Sequence, residues 1–257
     1  MKRILICDKR EKLLSTLEVI LKHWGYRALA TSRPDELSAF LRESSLDLLL
    51  LGSTFLADGS QALRDTLACR LTDTGCPLIV LQEDSTCPEL ELPYETLSVP
   101  LNIFALFEFT QKHLEKIPRR NLRLETKLPG MLCQGETSHL AEVLSLSAHG
   151  LFIKTASRLE KEDRFKVTFP LIGMKKELEI DGRELYRVQP GPENNYLQGI
   201  GIEFNEMGEE ALRDLEAFIQ SRFLGEVSES PRGHQGLDQG QIHGEVSKAS
   251  LRLVWEK

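Results

Sequence analysis

The stretch Ser145-Leu146-Ser147-Ala148-His149-Gly150-Leu151-Phe152-Ile153-Lys154 reads as a tight turn opening into a strand, and it follows an earlier strand, Ala141–Leu144. Ser147 supplies a small hydroxyl. Gly150 marks a point where the backbone turns sharply or comes very close to something else, because glycine alone has no Cβ to obstruct either. Outward from it, the segments Gly130–Cys133, Arg164–Phe169, Leu178–Ile180 and Glu184–Val188 carry the apolar and polar alternation of half-buried strands. Leu197-Gln198-Gly199-Ile200-Gly201-Ile202-Glu203-Phe204 supplies another. A helix is expected from Glu209 to about Arg222, with Leu212, Leu215, Phe218 and Ile219 on one face.

Upstream lies Arg119-Arg120-Asn121-Leu122-Arg123. A guanidinium can grip phosphate oxygens through two parallel hydrogen bonds and can pair with the O6/N7 edge of guanine, which lysine does poorly. Taken alone, three arginines on a connecting segment are most often a solvated basic face. Joined to the Ser147 and Gly150 pattern, they point to a phosphorylated, guanine-bearing ligand.

The RxxxR segment, the later SxSxxG stretch and the run of strands resemble the PilZ family of bacterial cyclic di-GMP receptors. The resemblance implies an antiparallel six-stranded β-barrel with a C-terminal helix over residues 118–224. It implies bis-(3'-5')-cyclic dimeric GMP as ligand and no cofactor. Arg119 and Arg123 match the paired arginines of the motif, Arg120 adds a stacking or phosphate contact, and Ser147 and Gly150 match outright. Ser145 departs from the Asp or Asn usual there, whose side chain helps hold the Watson–Crick edge of guanine. Losing one good hydrogen bond costs on the order of 1 kcal/mol, about five- to tenfold in affinity, so weakening is expected rather than abolition. His149 lies within the motif loop, either stacking on a base or simply exposed in a turn.

Residues 1–117 alternate strands and helices. Ile4–Cys7, Leu46–Leu51, Pro77–Leu81 and Leu97–Val99 are predominantly apolar runs, as parallel strands covered on both faces require. Leu13, Leu14, Leu17, Ile20 and Leu21 form one helical stripe. This half resembles the receiver domain of response regulators, a doubly wound parallel sheet, with its chemistry removed. Of the residues such a domain uses, only Asp8 remains, followed by Lys9; the phosphoacceptor position is Gly52, the hydroxyl position Gln82, and the lysine position Val99. One carboxylate beside a lysine is a poor magnesium site, and glycine accepts no phosphoryl group. Ser53 and Thr54 offer hydroxyls nearby, but the groups that would stabilise the transferring charge are missing. Pro88 and Pro93 shorten or remove the helix expected between the fourth and fifth strands.

The chain has 257 residues, room for two modest domains, and a net charge of -7 argues against a general polynucleotide binder. Its five cysteines form no CxxC pair, so neither a zinc knuckle nor a disulfide framework is expected, and the histidines show no metal-ligand spacing. No apolar run reaches membrane length, and the opening residues are too short an apolar run for a signal peptide, which leads to an expected cytoplasmic location. No GxSxG or P-loop pattern is present, so a non-enzymatic protein is expected. From Gly225 through Ser247 the composition turns to Gly, Gln, Ser and His, the mark of a flexible tail, expected over 225–257. Leu251, Leu253 and Trp255 would share one face of a short terminal strand, or belong to a disordered end.

The combined expectation is a second-messenger receptor in which the nucleotide, bound on the joint between domains, reorients a phosphorylation-incompetent receiver that docks a signalling, motility or biofilm protein. Self-association as a homodimer stays open. The alternative is a nucleotide-blind scaffold whose two domains serve only protein contacts.

Overall fold

The computed structural model describes residues 1–43, 45–57, 59–83, 93–157, 164–230 and 236–242. The chain divides into two compact units. One comprises Met1–Arg120 and the described part of Leu224–Gly244; the other comprises Asn121–Phe223.

In the first unit, β1 (Arg3–Cys7), β2 (Arg27–Thr31), β3 (Leu48–Gly52), β4 (Leu78–Gln82) and β5 (Glu95–Ser98) form one parallel sheet in the order β2-β1-β3-β4-β5. That is the doubly wound, receiver-like order, in which the sheet reverses its direction of growth between β1 and β3. The central strands are apolar on both sides: every residue of β3 and all of Ile4–Cys7 are buried. The helices α1 (Glu11–His23), α2 (Pro34–Glu43), α3 (Ser53–Ala57) and α4 (Gln61–Thr74) lie between the first four strands, and α5 (Ile103–Leu114) follows β5. The stripe expected on α1 is fully inside, with Leu13, Leu14, Leu17, Ile20 and Leu21 all buried. Ser60 caps α4 by accepting from Leu63 N–H, and Asn102 caps α5 by accepting from Phe104 and Ala105 N–H. Leu5, Leu49, Leu51, Val80, Leu37, Leu63 and Leu67 make up much of one core.

The second unit is a closed antiparallel barrel of six strands in the order β10-β11-β8-β7-β6-β9. Its strands are β6 (Leu124–Gln134), β7 (Thr137–Ser147), β8 (Gly150–Lys154), β9 (Arg164–Leu171), β10 (Lys176–Val188) and β11 (Gly199–Phe204). Closure leaves no exposed sheet edge. Alternation fills the interior: Leu124, Leu128, Leu132, Val143, Leu146, Leu151, Ile153, Val167, Phe169, Ile200 and Ile202 are buried. The next helix, α6 (Glu209–Glu229), has Leu215, Phe218, Ile219 and Phe223 buried. Its barrel-side portion is held by Lys176 to Asp214 at 2.5 Å and by Arg222 donating to the Ile172 carbonyl at 3.1 Å.

Several details differ from the sequence reading. A second strand, β2, runs through Arg27–Thr31, and Leu178–Ile180 and Glu184–Val188 are one strand, β10, interrupted by a bulge between Glu184 and Tyr186. The unit boundary falls between Arg120 and Asn121, inside the arginine segment. The residues expected to open a flexible tail at 225 instead continue α6 to Glu229, and its last turns, from Leu224, count with the first unit. Farther on, Asp238 N–H donates to Thr16 Oγ1 at 2.8 Å, Leu101 N–H donates to the Gln241 carbonyl at 2.7 Å, and Ile242 is buried. The expected terminal strand at 251–255 and the expected loss of a helix between β4 and β5 fall outside the described residues. Among the described residues no helix is long and apolar enough to cross a membrane.

Candidate functional site

Pairing across four strands builds two parallel rows of residues on the outer face of the barrel. Ser145 on β7 faces Phe152 on β8, Phe152 faces Gly201 on β11, and Gly201 faces Tyr186 on β10. One row over, Ser147 faces Gly150, Gly150 faces Glu203, and Glu203 faces Arg183. Between the rows Leu146, Leu151 and Ile202 point inward and are buried, so strand alternation sends both rows outward. Register shifts occur between Val143 and Ser145 and between Glu184 and Tyr186, at the two ends of the first row. Bulges of this kind re-aim side chains and gather at binding sites.

These rows form the floor of a cleft, about 480 Å³ including the solvent that enters it, and Asn121, Arg123, His149 and Leu185 border it. Each glycine in the floor is required by a close approach. A Cβ on Gly201 would fall 2.3 Å from the Tyr186 ring, which leans across the missing side chain to lie parallel to Phe152 with centroids 6.1 Å apart. A Cβ on Gly150 would fall 2.5 Å from the Ile202 carbonyl oxygen. The contact that demands glycine at 150 is therefore with the neighbouring strand, and the positive φ of a left-handed turn plays no part.

The sequence-predicted residues divide. Arg123, Ser145, Ser147, His149 and Gly150 come together in this one cleft. Arg119 and Arg120 are exposed and precede the first cleft residue, Asn121; Arg119 N–H donates to Gln111 Oε1 at 3.0 Å, within the first unit. Arg123 is exposed and makes no hydrogen bond or ion pair among the described residues, so its guanidinium is available. Ser147 is buried and its hydroxyl donates to the Gly150 carbonyl at 2.9 Å, which fixes the turn while leaving oxygen lone pairs as acceptors. His149 is exposed at the tip, and its carbonyl accepts from Phe204 N–H at 2.9 Å. Asn121, Phe152, Tyr186 and Glu203 are cleft residues that the sequence reading did not single out. The Gly199-x-Gly201 pattern within a strand was the signal available, since glycine inside a strand marks a close approach.

Chemically, the cleft offers a flat aromatic surface, one unpaired guanidinium, amide and hydroxyl groups, and a single carboxylate, Glu203. That set suits a planar heterocycle joined to an anion. Among the described residues, no three His, Cys, Asp or Glu side chains converge as metal ligands.

The corresponding place in the first unit, at the carboxyl ends of β1 and β3, is shut. Asp8 is completely buried, and Arg10 grips it through Nε at 2.8 Å and Nη2 at 2.6 Å, while Arg10 N–H donates to the same carboxylate at 2.8 Å. Arg10 Nη1 also lies 3.2 Å from Glu83. Hydrogen bonding to Asp8 raises the Arg10 pKa above its ordinary value, against the opposing effect of burial. A Cβ on Gly52 would fall 2.1 Å from Asp8 Oδ2. The Asp8 carboxylate thus occupies the space into which any side chain at position 52 would project.

Comparison with known proteins gives a family match to the PilZ domain over residues 118–221. No curated protein matches the chain. Among solved structures, the chain is similar to the Bacillus subtilis inhibitor of motility MotI/DgrA, at 16% identity over 42% of this chain and 52% of that one, TM-score 0.37. It thus spans about half the length of that relative. The PilZ domain of Escherichia coli YcgR with c-di-GMP is 15% identical over 44% of this chain and 96% of that one, TM-score 0.37. A CheY-like receiver domain protein from Methanospirillum hungatei JF-1 is 18% identical over 45% and 95%, TM-score 0.38. The barrel, the arginine segment and the serine and glycine turn all lie within residues 118–221, the stretch that matches the PilZ domain.

Proposed function

We propose that the chain is a non-catalytic cytoplasmic receptor for cyclic di-GMP, read by the barrel and relayed by the first unit. The observation that carries this reading is the convergence of Arg123, Ser145, Ser147, His149 and Gly150 in one cleft of a PilZ domain. Arg123 takes a phosphate or the O6/N7 edge of guanine. The Tyr186 and Phe152 pair gives a base a face to stack on. Arg119 and Arg120 lie on the segment between α5 and β6, which has neither helix nor strand, and their exposed side chains are free to close on the nucleotide. Ordering that segment around the ligand changes how the first unit is presented to a partner protein of a signalling, motility or biofilm system. Such a switch works only through tighter binding to one arrangement than to the other.

A second reading has two observations in its favour: Ser145 lacks the carboxylate or amide usual at its position, and the first unit lacks the residues of phosphorylation chemistry. In that reading both units only bind proteins. Titration calorimetry of the full chain with cyclic di-GMP separates the two. The receptor reading expects saturable heat that falls by roughly ten- to hundredfold in affinity in Arg123→Ala, the range for a hydrogen-bonded charged group. Absence of heat with the unchanged chain at tens of micromolar would overturn the receptor reading.

A further inference from the structure

Resting on the receptor reading, we infer that Glu203 reads the Watson–Crick edge of guanine and so supplies the acceptor that Ser145 lacks. Guanine presents two donors side by side, N1–H and the exocyclic N2–H. An open carboxylate oxygen carries lone pairs enough to accept from both, with a charge assistance that a neutral serine hydroxyl lacks. Glu203 is the single carboxylate bordering the cleft among the described residues. It stands on the outward-facing row with Ser147 and Gly150, one row over from Ser145 and directly across from the motif glycine.

Its hydrogen bonding leaves it poised for this role. Arg183 approaches through Nε at 2.6 Å and Nη2 at 2.5 Å, and both contacts fall on Oε2. Oε1 has no partner among the described residues, and the Glu203 side chain is 39% exposed. Arg183 holds the carboxylate from one side and offsets its charge, while the other oxygen stays open.

The charge of the ligand makes the placement informative. A carboxylate repels the phosphates of a cyclic dinucleotide, so in a phosphate subsite it would oppose binding. Facing the N–H donors of a base, the same carboxylate attracts. It also discriminates: adenine carries no proton on N1 and presents a lone pair there, which a carboxylate repels. Glu203 therefore sets the preference for guanine as well as contributing affinity.

The test is a calorimetric comparison of the full chain with its Glu203→Ala and Arg183→Ala variants. The ligands are cyclic di-GMP, cyclic di-AMP and cyclic di-inosine monophosphate, whose base retains N1–H but lacks the 2-amino group. The unchanged chain is expected to bind cyclic di-GMP most tightly. Glu203→Ala is expected to weaken cyclic di-GMP by about tenfold, the loss of a charged hydrogen bond. It should weaken cyclic di-inosine monophosphate less and so narrow the gap between the two ligands. Arg183→Ala should keep that gap. The assignment is overturned if Glu203→Ala binds cyclic di-GMP as the unchanged chain does, if it weakens both ligands equally, or if Arg183→Ala reproduces its effect. Those outcomes leave the receptor reading standing; absence of heat with the unchanged chain removes both.

Discussion

The two units treat an arginine beside a glycine in opposite ways. In the first unit Arg10 is spent internally: it is bound twice to a fully buried carboxylate, and Gly52 is glycine because Asp8 fills the adjoining space. In the barrel Arg123 has no partner among the described residues, and Gly150 and Gly201 are glycine because a strand and an aromatic ring press against them from within the fold. The first arrangement is an ion pair closed on itself, and the second leaves a cation facing solvent beside an aromatic floor. The presence of arginine, serine and glycine does not decide whether a site binds anions. What decides it is whether a carboxylate has reached the guanidinium first.

Arginine truncation breaks this contrast most directly. Arg10→Ala should cost the first unit about 3 kcal/mol or more, because it strands the buried Asp8 charge without a partner. The measurement is denaturant unfolding, and an unfolding midpoint unchanged from the parent would mean the site is less closed than its hydrogen bonding indicates. Next in size, Gly150→Ala should destabilise the barrel by about 1–3 kcal/mol through the collision with the Ile202 carbonyl, even with no ligand present. If it impaired nucleotide binding without any loss of stability, the glycine would serve the ligand rather than the strand.

Arg123→Ala inverts the pattern expected of Arg10→Ala. Its stability should stay within about 0.5 kcal/mol of the parent, as for a solvent-facing side chain, while its affinity for cyclic di-GMP falls. The smallest effect concerns Glu95, which ties β5 to α5 by accepting from Lys112 at 2.7 Å and lying 3.0 Å from His113. Burial acts to raise its pKa, but these partners outweigh it, and the group lies below the ordinary carboxylate range. A depressed carboxylate stabilises the fold above its unfolded pKa and loses that contribution as pH falls through its folded value. Glu95→Gln should therefore lower stability by about 0.5 kcal/mol at neutral pH, with the difference vanishing at acid pH once the Glu95 carboxylate is protonated in the folded state as well. Thermal melts at the two pH values measure it.

Much of this architecture was legible in the chain. The buried strands Ile4–Cys7 and Leu48–Leu51 announce themselves because both faces are apolar, and the serine and glycine turn is a local pattern. What escaped is non-local or weakly apolar. The edge strand β2, Arg-Ala-Leu-Ala-Thr, carries one large apolar residue, so its partnership with β1 supplies the signal that its composition lacks. The outward strand positions are polar, which made β6 and β7 look shorter than they are. Glu203 and Tyr186 entered the cleft through pairings with residues far from the motif in sequence, Gly150 and Gly201, and no periodicity within one segment reveals such a pairing. The arginine segment was legible as chemistry but not as geometry, since Arg123 and its two predecessors fall on different sides of the unit boundary.

The return of the chain from Asp238 to Thr16, a separation of 222 residues, has a consequence for how the protein is made. The first unit is discontinuous: its sheet is complete by Ser98, yet Ile242, which pairs with Leu101, is synthesised only after the entire barrel. During translation the first unit must wait, missing its last buried pieces, until the barrel has left the ribosome. Closing so long a loop costs conformational entropy, but barrel folding first converts most of that loop into a compact body. A chain ending at residue 120 would therefore lack the buried Ile242 and the hydrogen bond from Asp238 to Thr16.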